Sequence, residues 1–306
     1  MRTVLADARR GHPGLYWLAV AMAALTLVTV ALAVVDQRTV LGAPLWFKPL
    51  KFSVSILLYS ATLAWMLSRL PGTAMRRTGW AIAAALVLEQ LIIVGQAARG
   101  VRSHFNDDTL FDDLLFSVMG ATITGLWLAT VAIALRFLRE RGVDPVTSSA
   151  VRLGLLVGLF GMAIGFLISG NGGHAVGVPD GGPGLFFVGW STTGGDLRIG
   201  HFVGMHALQL LPLLAAGLAA LGRDRLDETA RVRVVQIAAA GYAGLVVLVT
   251  WQALRSQPLL APDALTLAAI AVVLAGTGAA LATVLRSAAR RAAARPLPRH
   301  EAAQPA

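Results

Sequence analysis

The chain has no cysteine in 306 residues. Disulfides, thiolate metal ligands, iron-sulfur clusters, thiol catalysis and palmitoylation are therefore excluded, whichever compartment its loops face. Any metal would need histidine or carboxylate ligands. Charge is also scarce: Asp, Glu, Lys and Arg make up 14% of the residues against 56% hydrophobic ones, which is wrong for a soluble domain of this length. The basic excess, 26 Lys and Arg against 16 Asp and Glu, is scattered between apolar runs and not gathered on a soluble module. Nucleic acid is thus not an expected partner; the lipid bilayer is.

What is present is apolar length. Reading from charge to charge leaves eight intervals, 15–35, 52–68, 78–98, 114–135, 153–170, 199–222, 234–254 and 264–285. Each approaches the roughly 20 helical residues that cross about 30 Å of hydrocarbon. Their continuous Leu and Ala content predicts helices and not the alternating strands of a barrel. Arg9, Arg10 and the run Ala31-Leu32-Ala33 resemble parts of a signal peptide, but the uncharged run is too long for one and is counted as the first helix. The expected fold is all-α, a polytopic transmembrane bundle of about eight helices.

Basic residues orient it. Of the 26 Lys and Arg, 19 fall at the N-terminus, in alternate loops and in the tail, so both termini are expected to be cytoplasmic. The expected organisation is a cytoplasmic segment 1–14, a transmembrane domain 15–285 with an outer glycine-rich loop at 171–198, and a basic disordered cytoplasmic tail 286–306. The cytoplasmic loops at 71–77 and 222–233 are short, arginine-rich anchors. The outer loops hold nearly everything unusual, so a functional site is expected to face outward.

Only two lysines accompany 24 arginines, a bias that fits a GC-rich genome, yet the two stand three residues apart. On a helix Lys48, Lys51, Ser55, Tyr59 and Thr62 form one polar stripe running inward. The plainer alternative is that both lysines snorkel to headgroups. Glu89 is the one acidic or basic residue inside any of the eight intervals. A carboxylate there is costly unless paired, protonated or wetted. It is either a working carboxylate or a protonated group tying helices together. Gln96 shares its face, Tyr59 can reach its depth, and Lys51 would lie nearer Gln96 and Arg99. These residues, with His206 and Gln209 three apart in the sixth interval, form the expected binding set for a small ligand or ion.

Four of the six histidines, His104, His174, His201 and His206, fall on or near the outer face. His201 and His206 are about 140° apart on an undistorted helix and cannot share one metal. A metal or haem would instead involve His201 with His104 or His174, and for each histidine alone hydrogen bonding is the plainer role. The stretch from Gly170 to Gly184 resembles a linker, but the Leu185-Phe186-Phe187 continuation is too apolar for water, so a lid over the helix mouths is expected.

Other chemistries fail on pattern. Asn106 to Asp113 lacks the spacing, the second motif and the side of membrane prenyltransferases; Ser191 is not in a nucleophile elbow; no Walker or Rossmann glycine pattern occurs. Gln96-Ala97-Ala98-Arg99 and Gln252-Ala253-Leu254-Arg255 hint at duplication, but paired helical histidines like those of haem A synthase are missing. The 46–52, 103–106 and 189–209 stretches resemble those of uncharacterised bacterial multi-pass inner-membrane proteins, over roughly 44–212, and this resemblance implies no activity. The expectation is an outward-opening polar site used in transport or sensing. The alternatives are a metal- or haem-dependent membrane enzyme and a structural subunit of an oligomer or membrane complex.

Overall fold

The computed structural model describes residues 2–70, 72–221 and 226–293. Its helices are α1 (Arg2–Gly11), α2 (Pro13–Val35), α3 (Phe47–Leu67), α4 (Thr73–Arg99), α5 (Leu110–Arg139), α6 (Pro145–Gly170), α7 (Leu197–Met205), α8 (Ala207–Leu221), α9 (Glu228–Leu254) and α10 (Ala264–Ala293). Two small hairpins lie in the loops: β1 (Thr39–Val40) with β2 (Ala43–Pro44), and β3 (Ala175–Val176) with β4 (Gly195–Asp196). Eight helical stretches are long and apolar enough to cross a membrane, α7 and most of α8 together counting as one. This is the architecture of a multi-pass membrane protein. Its outer surface agrees, since Leu27, Leu91, Leu213 and Val272 are more than half exposed in a way that suits lipid and not water.

The helix starts follow local chemistry. His12 caps α2, its Nδ1 accepting from the Leu15 amide, and Pro13 occupies the first turn where its missing N–H costs nothing. Thr109, Asp144 and Asp227 cap α5, α6 and α9 with side-chain oxygens on orphan amides. Asp112 and Asp113 sit in the first turn of α5 and Arg136 and Arg139 in its last, complementing the helix dipole. Gly100 ends α4 in the left-handed conformation.

Three features depart from the sequence expectations. The segment before the first span is itself a helix, α1, and packs on α3: Ala8 is buried, and a side chain at Gly11 would run into the Ala64 carbonyl. The tail expected to be disordered from residue 286 is helical as far as Ala293, because α10 carries on through Arg290 and Arg291; residues 294–306 lie outside the described set. The sixth span is not one regular helix but breaks at His206, where the amide is shared between the Phe202 and Val203 carbonyls.

The break coincides with a close approach. Gly154, Gly158, Gly161 and Gly165 fall on one face of α6, and that face meets α7 and the start of α8. A Cβ on Gly204 would lie 2.6 Å from Gly161 Cα, and one on Gly154 would lie 3.0 Å from the Ala207 carbonyl. Small residues let the two backbones touch, as in membrane helix pairs generally. Pro212 lies inside α8 and has no N–H to donate to the carbonyl one turn back.

Candidate functional site

A cavity of about 880 Å³ opens beneath the loops between α3, α4, α5, α6 and α7. That is near the upper end of the roughly 300–1,000 Å³ typical of small-molecule sites. Its polar groups cluster toward the loops and its deeper wall is apolar and aromatic.

Glu89 projects from α4 and is 2% exposed. Its Oε1 is 3.7 Å from His104 Nε2, and its Oε2 has no hydrogen-bond partner. His104 arrives from the loop after Gly100 and is wedged between Phe52 and Phe116, with Ser103 Oγ 3.2 Å from its Nδ1. Burial, and then the charge of Lys48, hold the His104 pKa well below its ordinary value, so the ring is neutral. Lys48, Lys51, Ser55 and Tyr59 all line the cavity from α3. Among the described residues neither lysine has a carboxylate within ion-pair distance; Lys51 donates to the Val188 carbonyl at 3.1 Å. Tyr59 shares a 2.6 Å hydrogen bond with Thr130. Thr62, expected to continue the stripe, instead returns its hydroxyl to the Leu58 carbonyl on an exposed face.

The glycine-rich stretch is an ordered lid. The β3–β4 pairing closes its base, and Gly184 bridges to Ser191 nearer its tip. The tip turns through positive φ at Phe187 and Gly189, a conformation that glycine adopts without strain and phenylalanine does not. Phe47 holds it from below, edge-on to Phe186 and Phe187 at 5.8 and 5.3 Å. Arg198 holds it too, donating to the Gly189 carbonyl. Beneath the lid Asp196 is fully buried and accepts from Arg198 Nε at 2.9 Å and the Ser191 amide at 2.9 Å. Burial opposes its ionisation, but Arg198, His174 and the Ser191 amide outweigh that and hold the carboxyl well below the usual carboxylate range.

Of the expected binding set, Lys48, Lys51, Tyr59, Glu89, His206 and Gln209 line one cavity. Gln96 and Arg99 are not among its lining residues. Both turn to Asp112 Oδ1, at 2.8 and 2.6 Å, while Thr109 holds Oδ2 at 2.6 Å. Asp112 is 2% exposed, and this clamp fastens α4 to α5. Its signal in the sequence was only a pair of acids at a helix start, which local capping already explained.

The histidines divide by partner. His201 Nδ1 is 2.8 Å from the Gly161 carbonyl, and its ring sits over Gly165, where a side chain would meet it at 3.1 Å. His206 Nδ1 and Gln209 Oε1 are 3.4 Å apart. His174 Nδ1 lies 3.4 Å from Asp180 and 3.5 Å from Asp196, under the lid. Among the described residues no three His, Asp or Glu side chains are arranged to hold a metal ion. His104, His174 and His201 share the cavity wall, but they do not converge on one point in it.

No protein-family model matches the chain, and neither does any curated protein or solved structure. Fold and site together define a multi-pass helical bundle with a lidded internal cavity.

Proposed function

We propose that the protein captures a small ligand from the outer side of a bacterial cytoplasmic membrane, for sensing or for transport, with the cavity as its binding site and both termini in the cytoplasm. One observation carries this reading: the bare Oε2 of Glu89, buried beside Lys48 and His104. An unpaired carboxylate oxygen at that depth costs several kcal/mol unless it is protonated, wetted or bound by a ligand. A purely structural glutamate would be expected to have both oxygens bonded. The remaining support is the lid, built of residues that hold the mouth without filling the cavity, and the excess of basic residues on the side away from it.

The metal- or haem-dependent alternative is weaker, because among the described residues no three His, Asp or Glu side chains are placed to hold a metal ion and His201 is turned to the Gly161 carbonyl. The structural-subunit alternative leaves the orphaned Glu89 without a purpose.

Single cysteines test the reading cleanly in a chain that has none. In intact cells a membrane-impermeant thiol reagent should label His174→Cys and Ser55→Cys, but label Arg76→Cys only after permeabilisation. Labelling of position 174 only after permeabilisation would reverse the topology. A Ser55→Cys protein that resists the reagent under every condition would mean the cavity is not accessible.

A further inference from the structure

We propose that the ligand is an amphiphile with a single carboxylate head and an alkyl chain, the head bound by Lys48 and Lys51 and the chain lying along the aromatic wall of α5 and α6. This rests on the ligand-capture reading and names the chemistry of what is captured.

The charges set the head. Four basic side chains line the cavity: Lys48, Lys51, Arg102 and Arg198. Arg102 is spent on Asp107 and Asp108, and Arg198 on Asp196. Asp180, on the opposite account, lies beside His174 and accepts from two main-chain amides. Lys48 and Lys51 are thus the two basic groups of the wall with no Asp or Glu within ion-pair distance among the described residues, and they stand one turn apart on α3. Both ammonium groups still have protons to give, since Lys51 uses one of its three on the Val188 carbonyl and Lys48 forms no hydrogen bond among the described residues. A carboxylate head takes charge-assisted hydrogen bonds from both. A cationic head would be repelled, and a neutral one would forgo those charge-assisted bonds.

The wall sets the tail. Below the lysines the cavity is lined by Phe116, Met119, Ile123 and Trp127 of α5 and by Met162 and Phe166 of α6. From Phe116 to Trp127 the wall runs roughly 16 Å by helical rise, which is the length of a medium alkyl chain. Met and aromatic side chains accept flexible hydrocarbon without demanding one shape.

The experiment uses the full chain in nanodiscs of zwitterionic lipid and a dodecanoate carrying a photoreactive group near its chain end. After illumination, peptide mapping should place the crosslinks on residues 116–127 and 162–166. Unlabelled dodecanoate should suppress them at about one tenth of the concentration that dodecanol requires, the difference expected from one charge-assisted hydrogen bond. Lys51→Gln should remove most of that preference and leave the crosslinked positions unchanged. Equal competition by dodecanol, stronger competition by dodecyl phosphate, or crosslinks confined to lipid-facing residues such as Leu91 and Leu213 would overturn the proposal. Those outcomes combined with reagent access at Ser55→Cys would leave ligand capture standing and remove only the carboxylate amphiphile; loss of reagent access would remove both.

Discussion

Glu89 and His104 face each other across the cavity with 3.7 Å between Oε1 and Nε2, a carboxylate and a neutral imidazole that meet from α4 and from the loop that follows it. The contact is too long for a good hydrogen bond and too close for indifference. It leaves each group able to turn toward a third.

Replacing Glu89 separates a working carboxylate from a helix tie. Glu89→Gln keeps the shape and loses the charge. The variant should express and unfold like wild type, while capture of labelled dodecanoate becomes independent of pH. Glu89→Leu should lower the melting temperature without restoring pH dependence. Wild-type capture at every pH in Glu89→Gln would reduce the residue to a structural role.

His104 predicts an acid-sensitive fold. Burial and Lys48 keep it neutral in the folded protein, whereas the unfolded chain takes up a proton below about pH 6.5. With a depressed folded pKa, stability is fully present above the unfolded value and is lost as pH falls from there toward the folded one. The loss approaches about 1.4 kcal/mol for each pH unit. Melting curves from pH 7 to pH 5 should show this decline, and His104→Gln should flatten it. A slope unchanged in His104→Gln would assign the acid sensitivity elsewhere.

Gln96 and Arg99 should behave as fasteners. Gln96→Ala removes one arm of the buried Asp112 clamp and should cost about 1–3 kcal/mol. Dodecanoate capture should keep its wild-type affinity when measured below the lowered melting temperature. A weakened affinity with unchanged stability would return Gln96 to the binding set.

Two glycines should respond with opposite signs. A side chain at Gly161 strikes the Gly204 backbone, so Gly161→Ala should push α7 away at a cost of about 1–3 kcal/mol. It should also pull His201 from its carbonyl. Gly217 on α8 has open space around it, and Gly217→Ala should raise stability by about 0.5–1 kcal/mol. Melting temperatures of the pair are the check, and equal effects would mean that the α6–α7 contact is not under such constraint.

The spans were legible because a bilayer demands long uncharged runs, and nothing else in a sequence looks like them. That Tyr59 and Glu89 would share a depth was legible through helical rise, which converts residue number into depth, whereas Lys51, expected nearer Gln96 and Arg99, instead reaches the Val188 carbonyl of the lid. The bonds of Gln96 and Arg99 to Asp112 were not legible, because helical periodicity assigns a face but not the neighbour opposite, and Asp112 already had a local explanation at its helix start. The break at His206 was missed for a similar reason. It depends on how closely α6 can approach, and the glycines that set this, 154, 158, 161 and 165, lie in another span.

Every residue that lines the cavity lies between positions 40 and 209, while α10 packs chiefly on α9 and is tied to its ends by Arg255 with Asp263 and Arg291 with Asp227. Synthesis runs from the N-terminus, so the ribosome has finished the whole binding apparatus before it starts the last helix. A chain halted after α9 should therefore already hold a formed pocket, and the final thirty residues of helix serve the protein's border with its surroundings and not its chemistry.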